Sequence, residues 1–268
     1  MLAVKNKREL INRFPVLLGN NAELLLYRTL KDASAVTAAS FRGNRRLFNT
    51  YVSIVKALVK AKQSKGKDEY ATFLMTFKPK ALERIEEAAA AFLESTAIRG
   101  LATHKEAVES GFERIYGQQA TVVMPDVFWK QTAQDAQAAI KRIDKAVGTV
   151  IDKSLTDDGM AAIVADGAKS ISRRMADEAW LTQSKVGQRV ADAVGADKYI
   201  WHNMGDLRVV GNPSGLYPVG NEYHGDHWHR EGKVFLWSEP PSDGHPGTAY
   251  GCRCVALPLL SLGSPQIR

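Results

Sequence analysis

The chain has 268 residues, 45% of them hydrophobic, and a formal net charge of +7. That is enough apolar material for one large or two small cores. The longest apolar run is too short to cross a bilayer, and the first eight residues, Met1 to Arg8, lack the apolar stretch of a secretory signal, so neither a membrane span nor a leader is expected.

The charge is unevenly placed. Residues 1–67 carry 14 Lys and Arg against 3 Asp and Glu, a net of +11, and residues 68–268 carry a net of −4. Within the basic part, 8–32 reads as helix broken at Phe14-Pro15 and Gly19-Asn20-Asn21. Residues 41–62 follow with Leu47, Tyr51, Ile54, Val55, Leu58 and Val59 at three-and-four spacing, which predicts a helix. Arg42, Arg45, Arg46, Lys56 and Lys60 flank that apolar stripe and point to an acidic partner, nucleic acid or an acidic protein surface. A solvated basic face is the plainer alternative.

Gln63-Ser64-Lys65-Gly66-Lys67 is a polar break and a division point. Residues 80–116 are rich in Ala, Glu, Leu and Lys, and Ile85, Ala88, Ala89, Phe92 and Leu93 give them one apolar face. After Thr121–Met124, Asp126 is placed to cap a helix through Trp129, Ala133, Ala136, Ile140, Ile143 and Val147. Thr156–Asp158 is a further capping signal, with helix expected on to Ala193. Beyond residue 195 the helical period stops, and prolines and glycines become frequent. Lys198–Trp201, Lys233–Trp237 and Arg253–Leu257 read as short strands between turns. The expectation is an α+β protein in three parts: a basic helical segment 1–67, a helical region 68–195 and a small turn-rich domain 196–268.

Five of the six histidines and both cysteines lie in that last part, as His202, His224, His227, His229, His245, Cys252 and Cys254. Zinc takes tetrahedral nitrogen and sulfur ligands. On an extended segment, Cys252-Arg253-Cys254 would put both sulfurs on one face, and His227-Trp228-His229 has the same spacing. Two such pairs facing each other would supply a structural zinc site of His227, His229, Cys252 and Cys254, with His224 and His245 as alternates. One-residue spacing suits a disulfide poorly, so a reducing, intracellular origin is expected. Ordinary packing of the cysteines and exposure of the histidines is the competing account. Asp206-Leu207-Arg208 offers an acid and a base that would pair with each other or with other groups. His227 or His229 beside Asp226 or Glu231 has the form of a general-base pair. The chain has no His-Glu-x-x-His, no Gly-x-Ser-x-Gly and no phosphate-binding Gly-x-x-x-x-Gly-Lys loop.

Taken in order, Trp201, Asp206-Leu207-Arg208, His227 with Gly232, Phe235, Pro240-Pro241, His245-Pro246-Gly247, Gly251-Cys252-Arg253-Cys254 and Pro258 form a pattern over about residues 198–258. This pattern resembles the phage Mu F-like minor head protein family, the phage head-morphogenesis domain. Two departures accompany it. Gly211 to Tyr223 is an insertion between Arg208 and His227, and Asp177-Glu178-Ala179-Trp180-Leu181-Thr182-Gln183 stands where the family often has Arg-Thr-Glu.

The resemblance implies a non-enzymatic minor capsid protein of a tailed bacteriophage, present in few copies in the virion. It would sit at the portal vertex or head interior, act in prohead assembly or DNA delivery, and pass through the host cytoplasm. Its implied partners are portal, capsid or scaffold proteins and packaged DNA, with no membrane. Two other readings compete. A metal-dependent nuclease or effector enzyme would use His224, His227, His229 and Asp226 with an open metal position. A plain DNA-binding module would use the basic N-terminal helices.

Overall fold

The computed structural model describes residues 45–117, 119–155, 160–220 and 225–259. Among them are four helices, α1 (Arg45–Ser64), α2 (Lys67–Tyr116), α3 (Val127–Lys153) and α4 (Met160–Ala193). Three strands follow, β1 (Lys198–His202), β2 (Val234–Leu236) and β3 (Val255–Pro258). The fold is α+β, as the sequence predicts. The expected helix over 8–32, the capping signal Thr156–Asp158, Arg42 and His224 lie outside the described residues. No helix among the described residues is long and apolar enough to cross a membrane.

The polar break at 63–67 separates α1 from α2. Helix α2 begins 13 residues earlier than its expected start at residue 80, running through Pro79. A proline inside a helix removes one hydrogen bond, at a cost of about 3 kcal/mol. Here Pro79 and Met75 are both exposed, so water can serve the Met75 carbonyl, while Tyr70 and Leu74 hold the first turns in the core.

The described residues form two compact units, each assembled from separate stretches of chain: 45–97 with 129–182, and 98–128 with 183–259. Composition alone had suggested divisions at 67 and 195. By contact, the units divide within α2 and α4, because a long helix can give its two ends to two different cores.

In the first unit, Leu47, Tyr51, Ile54 and Leu58 of α1 pack with Ile85, Ala89 and Phe92 of α2. Ile143, Val147 and Ile151 of α3 and Ile171, Met175 and Ala179 of α4 complete the same cluster. These are the residues whose three-and-four spacing marks one face of a helix. The Arg142 guanidinium donates to both oxygens of the buried Glu178, each bond 2.7 Å long, joining α3 to α4.

In the second unit, the end of α2 and the end of α4 run parallel and notch into each other. Gln183 lies over Gly100, and the His104 ring lies over Gly187. A Cβ at Gly187 would come within 2.8 Å of the His104 ring. The sheet has the order β2-β1-β3 with both pairings antiparallel. Central β1 buries Tyr199, Ile200 and Trp201 in succession, Ile200 facing Leu257 and the two aromatics facing the opposite side.

Burial in that helix notch lowers the His104 pKa from its ordinary value to about 4, although Gln183 partly opposes the shift through a backbone hydrogen bond. A histidine neutral in the fold but protonated near pH 6.5 when unfolded stabilises the fold fully above pH 6.5 and progressively less as pH falls towards 4. Urea unfolding should therefore show a loss of roughly 3 kcal/mol across that window, and His104→Gln should remove this component from the pH profile. Parallel pH profiles for the two proteins would refute it.

Candidate metal centre

Strand alternation builds the site. Trp201 projects from β1 to the same side as Tyr199, and Cys252, Cys254 and Ala256 reach that side from the segment entering β3. Trp201 is held at both backbone atoms, its N–H donating to the Lys233 carbonyl and its carbonyl accepting from Gly232. His227 comes from a loop fixed by the Trp228 amide, which donates to the Val210 carbonyl. The buried Asn203 amide donates to the carbonyls of His227 and Trp228. A tight turn before Cys252 is completed by Gly247, at φ +78°, whose N–H donates to the Cys252 sulfur at 3.3 Å. A side chain at Gly247 would crowd the Cys254 carbonyl and Ser184.

Three ligand atoms converge. His227 Nδ1 lies 3.4 Å from Cys252 Sγ and 3.6 Å from Cys254 Sγ, and the three residues are 4%, 8% and 5% exposed. All three ligand atoms lie within 4.8 Å of one another. Bond lengths of about 2.3 Å to sulfur and 2.0–2.1 Å to nitrogen around a tetrahedral zinc imply an N···S edge of about 3.6 Å. The donor set and its spacing therefore fit a zinc-sized ion.

The electrostatics point the same way. Hydrogen bonding from Cys254 and His227 holds the Cys252 thiol well below its usual pKa, against the opposing effect of burial. Burial, followed by the neighbouring Cys252, pushes Cys254 well up. One thiolate thus forms readily, and the second needs a compensating cation. The Trp201 indole favours a Cys254 thiolate, and its buried Nε1 has no oxygen or nitrogen acceptor among the described residues. Burial opposes a charged His227, but Cys252 and Asp243 outweigh it and raise the pKa.

Behind the ring, His227 Nε2 lies 3.0 Å from Asp243 Oδ2, and Asp243 Oδ1 accepts from Arg230 at 2.6 Å. The Arg230 guanidinium lies 4.8 Å from the Trp201 ring centre, and Trp201 meets the His227 ring edge-on.

The other predicted residues are placed differently. His229 is exposed and pairs with Asp226 at 2.8 Å, so among the described residues three of the four expected ligands, His227, Cys252 and Cys254, come together and His229 does not join them. His227-Trp228-His229 lies in bends and turns, where the side-chain alternation of a strand does not apply. His245 packs on Tyr199 and Trp237, its Nδ1 3.2 Å from the Tyr199 hydroxyl, and burial lowers its pKa. His202 pairs with Glu231, whose other oxygen accepts the Asn203 amide.

Asp206 accepts the Arg208 backbone N–H through its side chain and pairs with Arg253 at 2.7 Å, while the Arg208 side chain is exposed. Gly232 adopts a positive φ of 73° before β2, and Phe235 stacks against Tyr199 and meets Trp201 edge-on. Of the predicted basic residues, Arg45 opens α1, and Arg46, Lys56 and Lys60 are exposed along it. Sequence reasoning missed Asp243 and Arg230. Ser242-Asp243-Gly244 reads simply as a turn, and nothing in its spacing links it to His227.

No family model and no solved structure matches the chain. An uncharacterized protein of Haemophilus influenzae (strain ATCC 51907 / DSM 11121 / KW20 / Rd) is 28% identical over 126 residues. The aligned stretch covers 45% of this chain and 25% of that protein, so the chain spans about a quarter of its relative's length.

Proposed function

We propose that the chain is a head-assembly protein of a tailed bacteriophage whose C-terminal module is locked by one structural zinc ion on His227, Cys252 and Cys254. The observation that supports this most is the convergence of the elements of the phage-type pattern on one buried cluster. Trp201 packs on His227, Phe235 packs on Trp201, the two cysteines face His227 Nδ1, and Arg253 between them pairs with Asp206. When bound, the zinc would neutralise the thiolates and tie the His227 loop to the Cys252–Cys254 segment. The residues themselves do the rest. Gly247 donates an N–H to Cys252, and Asn203 fixes the loop that carries His227.

A metal-dependent nuclease on the same cluster draws on one observation, that three ligand atoms rather than four converge among the described residues. An open fourth position is the mark of catalytic zinc. The near-complete burial of all three ligands favours the structural role, because a substrate has to reach a catalytic ion.

The basic face of α1 supplies the partner reading. Arg46, Lys56 and Lys60 are exposed on a helix that contains no acidic residue. Such a face suits packaged DNA or an acidic portal or scaffold surface.

Elemental analysis of the full-length protein should find about one zinc per chain, retained in His229→Ala and lost in Cys252→Ser/Cys254→Ser. Well-folded protein free of metal would overturn the zinc assignment. Co-expression with the portal protein of the same phage should give co-elution at low stoichiometry. Failure to associate with portal, capsid or scaffold would overturn the assembly role. Replacing Arg46, Lys56 and Lys60 with Glu should weaken binding to duplex DNA and flatten its dependence on salt, and unchanged binding at every salt concentration would sink the DNA-contact reading.

A further inference from the structure

The metal reading leaves a question of chemistry on the other side of the histidine ring. His227 faces both sulfurs through Nδ1. A neutral imidazole has one proton, and it can bind a metal only through the nitrogen that lacks it. For Nδ1 to be the ligand, the proton has to stay on Nε2.

Among the described residues, Nε2 pairs with Asp243 Oδ2, at 3.0 Å. The Asp243 carboxylate is 10% exposed and is itself fixed, its Oδ1 accepting from Arg230 Nη1 at 2.6 Å. Arg230 lies over Trp201, and Trp201 meets His227, so the four side chains close a ring around the ligand. Backbone shape protects this arrangement. Gly225 has a φ of +102°, and a Cβ there would overlap Asp243 Oδ2 and lie 3.2 Å from His227 Nε2.

We propose that Asp243, oriented by Arg230, is the positioning residue that keeps the His227 proton on Nε2 and so presents Nδ1 to a thiolate-preferring divalent ion such as zinc. This rests on the metal reading above and adds to it an outer layer that the sequence pattern does not contain. Carboxylates in this position orient the ring and raise its basicity, and losing one typically weakens metal binding 10–100-fold.

The test uses the full-length protein loaded with zinc, and with cobalt as a coloured stand-in. Asp243→Ala should release zinc to a chelator about 10–100-fold faster than the unaltered chain and should shift the visible cobalt bands. Asp243→Asn should fall between the two, because its side-chain carbonyl still accepts from Nε2–H, and it serves as the readout if the alanine variant does not fold. Asp226→Ala, which removes the partner of exposed His229, should release zinc at the unaltered rate. Should the unaltered chain hold no metal, the site itself is overturned and this inference with it. Should it hold metal while both Asp243 variants keep its release rate and cobalt spectrum, the site stands and the positioning role is overturned.

Discussion

Two thiols and an imidazole buried within a few ångströms of one another pose an electrostatic problem that protons or a cation must solve. The C-terminal sheet is organised around that point. Tyr199 and Trp201 share one face of β1 with both sulfurs, and the apolar cluster there is small, formed by Tyr199, Trp201, Cys252 and Cys254 with a few half-buried neighbours. Ile200 and Leu257 make a still smaller cluster on the other face. Around them the backbone turns repeatedly on side-chain oxygens, as Asn203, Asp206 and Asn212 each accept the amide two residues ahead. Such turns set local direction but bury little surface. Trp237 links the cluster around the sulfurs to a further one formed by Val108, Val122, Val190 and Val194.

The helical unit of residues 45–97 and 129–182 is packed differently. Its cluster runs through all four helices, with large side chains such as Tyr51, Phe92 and Ile143 set against alanines at 81, 88, 89 and 139. Small residues let helix backbones approach closely, and the large ones fill what remains. Gly167 shows how tight the fit is, since a Cβ there would strike the Tyr51 hydroxyl. Burial around that hydroxyl pushes its pKa up to about 12. Helix-to-helix notching recurs at Gly187 with His104. Alanine favours a helix over glycine by about 1 kcal/mol, and overpacking costs about 1–3 kcal/mol, so contact rather than propensity decides the residue at 187.

Much of this was legible in the sequence, for identifiable reasons. The apolar stripe Leu47, Tyr51, Ile54, Leu58 has a helical period, and the structure places it in the core. The three short strands lie within two residues of their expected bounds, because β-branched and aromatic residues between turn formers leave few alternatives. The Cys-x-Cys alternation brought both sulfurs to one face. The same rule applied to His227 and His229 failed, because that tripeptide turns. The first turns of α2, Lys67 to Pro79, went unread, because the run of strong helix formers begins only after the proline. The pairs Asp206–Arg253 and Asp243–Arg230 were beyond reach, because a salt bridge between loops leaves no periodic trace.

The carboxylates also bear on which chemistry the site can support. Hydrolysis at a metal needs a water on the ion and a base to take its proton. Near the cluster, Asp243 accepts from His227 and Arg230, Glu231 from His202 and the Asn203 amide, and Asp226 from His229. Each is engaged as an acceptor, and Asp243 lies behind the imidazole, on the side away from the sulfurs. A carboxylate that holds a ligand in place from the far side of its ring cannot also serve a water on the near side. Among the described residues, the carboxylates near the cluster are thus committed to its histidines, to Arg230 and to a backbone amide.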